Sequence, residues 1–141
     1  MSTNYNRLLE DSRSNKVLIF YKQNTLYSNS IKLGYQPTES ILIKDVCDNY
    51  VASIDANDYV YVACYTNEGN IALIAGNDQH WELKDTISIA KDVDIILLEL
   101  FIIKGVIHIL YATCLPIKNY YNIYHIYFIN NTWKKENIAE I

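Results

Sequence analysis

Apolar residues along this chain either alternate with polar ones or run unbroken for five to eight positions, and short polar clusters separate the runs. "VLIFY", "YVYVACY" and "GVIHILYA" are too short for helices and rich in β-branched and aromatic residues, so they read as strands. Asparagine and aspartate dominate the clusters between them. Their short side chains bond their own backbone and tolerate the left-handed conformation, so they take over the turn role from glycine and proline. The pattern predicts an all-β chain.

The runs also recur. When "YVASIDANDYVYVACYT" is laid on "ILLELFIIKGVIHILYAT", Val51 falls on Leu98, Ile54 on Phe101, Asn57-Asp58 on Lys104-Gly105, Val60 on Ile107 and Val62 on Ile109. Past a longer loop, "CLPIKNYYN", Ile71 falls on Ile123, Asp78 on Asn130 and Trp81 on Trp133. Backward, Leu8 falls on Val51, Asn15 on Asp58, Val17 on Val60 and Ile19 on Val62, with Leu26 over Ile71 and Tyr35 near His80-Trp81. Each unit, about 5–44, 47–90 and 94–141, reads as four hairpin-linked strands, the size of a propeller blade of roughly 40–50 residues.

The expected fold is therefore one domain of three four-stranded antiparallel, propeller-like blades. Three blades do not close a ring, and a blade is stable only between neighbours, so the chain is expected to be half of a six-bladed ring completed by homodimerisation. Apolar runs would be covered on both faces by neighbouring blades, with "WELKDT" and "WKKENI" at a polar rim. Trp81 and Trp133 would then lie over the gaps between blades, where burial of each ring contributes about 2–3 kcal/mol.

Composition narrows the partners. Half of the 141 residues are hydrophobic, and the net charge is −4. No basic footprint for nucleic acid results. The longest apolar stretch, "DIILLELFIIKGVIHILYA", is broken by Glu99, Lys104, Gly105 and His108, so no membrane span is expected. The N-terminus does not read as a secretory signal, and a cytoplasmic location is expected. Cys47, Cys64 and Cys114 are widely spaced and are expected to be buried, reduced thiols.

The layout "LLED…KVLIFYKQNTLYSNSIKLG" followed by "NYVASIDANDYVYVACYTNEGNIALIAGNDQHWEL" resembles the repeat units of propeller-type proteins of clostridia and related bacteria, similar in outline to sialidase-like propellers. The likeness covers about residues 5–141 and implies a fold and an interaction role. In the sialidase group the comparable turn carries S-x-D-x-G-x-T-W. Here "AGNDQHW" and "FINNTW" keep the acidic or amide turn and the tryptophan without the serine and glycine.

Little catalytic chemistry is visible. Paired carboxylates for glycoside hydrolysis could come from Glu10, Asp11, Asp55, Asp58 or Glu99, but Asp55 and Asp58 read as turn residues. Glu99 would line a channel or pair with Lys104. Arg7 and Arg13 are the chain's two arginines, too few to clamp a carboxylate substrate. His108 and His125 fall on neighbouring strands, close enough to share an ion, yet no third ligand stands at a matching spacing, so no metal and no cofactor are expected. No phosphate-binding glycine loop or nucleophile elbow occurs.

Two readings follow for a chain expected not to be an enzyme. One is a self-associating interaction module that presents Tyr120, Tyr121 and Tyr124 to a protein partner. The other is a carbohydrate-binding propeller in which Tyr35, Trp81 and Trp133 stack sugar faces.

Overall fold

The computed structural model describes residues 6–77, 80–89, 93–115 and 119–140. These form β1 (Arg7–Glu10), β2 (Lys16–Lys22), β3 (Thr25–Ile31), β4 (Thr38–Lys44), β5 (Val46–Ile54), β6 (Val60–Thr66), β7 (Asn70–Asn77), β8 (His80–Ser88), β9 (Asp94–Ile103), β10 (Val106–Leu115), β11 (Tyr120–Ile129) and β12 (Thr132–Glu140). Consecutive strands pair antiparallel into three four-stranded sheets: β1 to β4, β5 to β8, and β9 to β12. Among the described residues no helix is long and apolar enough to cross a membrane.

Asparagine and aspartate do turn the chain. Gln23-Asn24, Lys104-Gly105 and Asn130-Asn131 are two-residue hairpins with positive φ at both positions, the turn whose twist matches that of the flanking strands. The longer connections after β1 and β5 share another device. Asp11 Oδ1 accepts hydrogen bonds from the backbone N–H of Arg13 and Asn15, and Asp55 Oδ1 accepts from Asn57 and Tyr59.

Those matching turns correct the sequence frame by one residue. With Asp11 on Asp55, Leu18 takes the place of Val62, and Ile19 that of Ala63; the sequence alignment set Ile19 on Val62. A one-residue slip moves every side chain to the opposite face. Between β5 and β9 the same slip recurs, because the connection from Ile54 to Val60 is one residue longer than that from Ile102 to Ile107. Tyr50, opposite Cys64, stands where Leu98 stands opposite Tyr111.

Two apolar layers hold the sheets together. Between the first and second sheets lie Ile19 and Leu26 against Val60, Val62, Cys64, Ala72 and Ile74. Between the second and third lie Val51, Ala63, Ile71 and Leu73 against Leu98, Leu100, Ile109, Tyr111 and Ile126. The second sheet is thus covered on both faces, which is why "YVYVACY" carries apolar residues at consecutive positions. Burial pushes the Cys64 thiol up to about 12, with Cys47 adding to the shift, and it lifts the Tyr111 phenol to about 12 with help from Tyr124.

The first and third sheets lie at the two ends of the stack. Each has one covered face and one that faces away. Backbone contacts between sheets concentrate on the first strands, β1 with β5 and β5 with β9. The fourth strands β8 and β12 are mostly exposed, as the charges of "WELKDT" and "WKKENI" require.

Candidate functional site

On the outward face of the first sheet, Leu8, Leu18 and Asn29 stand in one cross-strand row, and Phe20, Tyr27 and Ile41 in the next. Leu8 is 58% and Ile41 53% exposed, and the Phe20 and Tyr27 rings stack at 5.3 Å. Charged residues frame this surface: Glu10, paired with Lys16 at 3.6 Å, and Lys22 and Glu39.

The outward face of the third sheet is built from Leu97, Glu99 and Phe101 on β9, His108 and Leu110 on β10, and Ile123, His125 and Tyr127 on β11. Phe101 is 47% exposed. His108 Nδ1 and His125 Nε2 lie 2.9 Å apart with their rings nearly parallel, and Tyr127 stacks against His108 and sits tilted against His125. His125 Nδ1 is 3.8 Å from Glu136 of β12. Desolvation, then the charge of His125, hold His108 below the ordinary imidazole value. Neighbouring strands bring the two histidines together as their positions predicted. Among the described residues no group of three or more metal-ligating side chains forms around them or elsewhere.

The aromatic candidates do not form one surface. Trp81 packs on the layer between the first and second sheets, and Trp133 on the layer between the second and third. Trp133 donates its indole N–H to Asp85 and borders a cleft of about 280 Å³ lined by Tyr61, Leu73 and Ile107. Opposite Trp81 stands Gly76, where an added Cβ would lie 2.1 Å from the His80 carbonyl oxygen, so only glycine fits. Tyr35 differs from both tryptophans. It sits in the turn between β3 and β4, 75% exposed, beside a cleft of about 610 Å³ lined also by Arg13, Asn15 and Gln36.

Tyr120, Tyr121 and Tyr124 divide between faces because strand side chains alternate. Tyr124 stacks on Tyr111 at 5.1 Å beneath the Lys135 ammonium, 4.4 Å from the ring, and packs on the core layer. Tyr121 points to the other face and donates to Asn119. Of the expected loop, residues 116–118 lie outside the described residues.

The acidic candidates have structural partners. Asp11 and Asp55 shape their turns, and Asp58 accepts hydrogen bonds from the Ser12 N–H and hydroxyl, which ties the turn of the second sheet to that of the first. Although what little burial Asp11 has raises its pKa, the bonds from Asn15 and Arg13 and the Arg13 charge outweigh it, and the carboxyl lies below its ordinary value. Glu99 stands opposite Leu110 on the outward face of the third sheet.

Sequence reasoning did not single out Leu8, Ile41 or Phe101 as site residues. Compared with known proteins, the chain matches no protein-family model, no curated protein and no solved structure.

Proposed function

We propose that this chain is a non-catalytic interaction module of propeller type, in which each sheet is a blade and two copies complete a ring through the outward faces of the first and third sheets. One observation carries the reading. Leu18 faces outward from the first sheet at the ladder position that Val62 and Ile109 hold in the other two, where both are 0% exposed. The approach of β1 to β5 and of β5 to β9 supports it, since blades converge at their inner strands. The likeness of the strand rhythm to bacterial propeller repeats points the same way.

The test is the absolute mass in solution by light scattering behind a sizing column. Twice the 16.4 kDa chain mass is expected, and a monomer at all accessible concentrations would overturn the reading.

A carbohydrate-binding role draws on one specific observation, the exposed Tyr35 ring beside a polar cleft. Amide shifts at Asn15 and Gln36 on titration with cellobiose, lactose and chitobiose would support it. Retention of those shifts in Tyr35→Ala would count against a stacking role.

A further inference from the structure

Resting on the self-association just proposed, we infer which face meets which and what opens the contact: the outward face of the third sheet of one copy seats on the outward face of the first sheet of a second copy, the His108–His125 pair is desolvated there, and acid releases it.

The pairing follows from the two sheet contacts within the chain. In each, one sheet presents the ladder row of Ile19 and Ser28, or of Ala63 and Leu73, and the next sheet presents the row of Val62 and Ile74, or of Ile109 and Ile126. On the third sheet the outward row of Leu110 and His125 corresponds to the first kind. On the first sheet the outward row of Leu18 and Asn29 corresponds to the second. Each free end therefore offers what the other lacks. Two chains joined this way make two identical contacts and close on a two-fold axis.

His125 holds the place of Leu73 and Ser28, which are 2% and 0% exposed in their own contacts. A second copy seated there removes its ring, and that of His108 beside it, from water. Neutral imidazoles tolerate this, because one ring donates N–H to the other across 2.9 Å and two of the four ring nitrogens satisfy each other. Protonation opposes it: the first proton keeps the bond between the rings but places a charge in a desolvated contact, which is costly, and a second removes the acceptor. The depressed basicity of His108 before any contact has the same sign. Charged groups near the pair are Glu99, Lys134 and Glu136 on its own sheet, and Glu10, Lys16, Lys22 and Glu39 on the opposing first sheet. In the single chain Glu136 is 57% exposed, 3.8 Å from His125, and Glu10 is paired with Lys16.

Two measurements test this. By sedimentation equilibrium, the dissociation constant of the pair is expected to rise at least about tenfold between about pH 7.5 and 5.5. In the His108→Gln/His125→Gln variant it is expected to change little over that range. A dimer whose affinity is flat with pH, or a double variant as acid-sensitive as the native chain, overturns the switch and leaves self-association standing; a monomer at pH 7.5 overturns both.

The face pairing is read by mixing. Leu8→Glu damages only the first sheet's outward face and Phe101→Glu only the third's, and both residues are about half exposed, so the variants fold. Each alone is expected to dimerise weakly, whereas an equimolar mixture forms a mixed dimer through one undamaged contact. Tight dimers from either variant alone would mean like faces pair. Masses that keep rising with concentration would mean open chains and would overturn the closed pair.

Discussion

Trp133, in the third sheet, donates its indole N–H to the carboxylate of Asp85 in the second, 48 residues earlier in the chain. The bond fastens the edges of two sheets whose fourth strands are otherwise solvated. Asp85→Ala and Trp133→Phe are each expected to lower the unfolding free energy by about 1–2 kcal/mol in urea titrations. Because both remove one interaction, the double variant is expected to lose less than the sum of the two.

Gly76 has no room for a side chain against the backbone of His80. Gly76→Ala is expected to cost about 1–3 kcal/mol by overpacking, whereas Gly34→Ala, with nothing within 4 Å of its added carbon, meets only the penalty of its positive φ. Equal losses in the two variants would show that crowding is not the cause.

Ser28 is fully buried between the first and second sheets, and its hydroxyl has no hydrogen-bond partner among the described residues. Removing a buried polar group that makes no bond relieves a desolvation penalty. Ser28→Ala is expected to raise stability by about 1 kcal/mol, read as a higher melting temperature. A drop of similar size would reveal a bond that the hydroxyl does make.

His108 binds its proton less readily in the fold than in the unfolded chain. The unfolded state therefore takes up protons first as pH falls through about 6.5, and stability is lost from that point downward to the folded value. In the Leu8→Glu variant, at concentrations where it is monomeric, urea midpoints are expected to fall between about pH 7 and 5.5, and His108→Gln is expected to remove part of the fall. The Asp11 carboxyl is likewise held below its ordinary value, and its contribution disappears only at lower pH, as it protonates.

Cys64 is 0% exposed with its thiol raised to about 12. Near neutral pH it is expected to resist Ellman's reagent until the chain is unfolded in denaturant, since the thiolate is the reacting species. Fast labelling of Cys64 in the native protein would mean that the layer between the first and second sheets opens readily.

Hydrophobic period and turn chemistry alone determined the element type, the twelve strands and their grouping in fours. Period two and Asn/Asp turns are local properties, written within a few residues of where they act. Which face each residue takes was decided only in three dimensions. Whether Ile19 matches Val62 or Ala63 depends on the length of the turn at Asp11, and similar apolar residues on both faces leave no mark of a one-residue slip. Nor could the sequence tell the covered "YVYVACY" from the half-open "VLIFY" and "GVIHILYA". The three runs look alike, and only the stacking order puts the first of them between two neighbours and gives the other two a bare face.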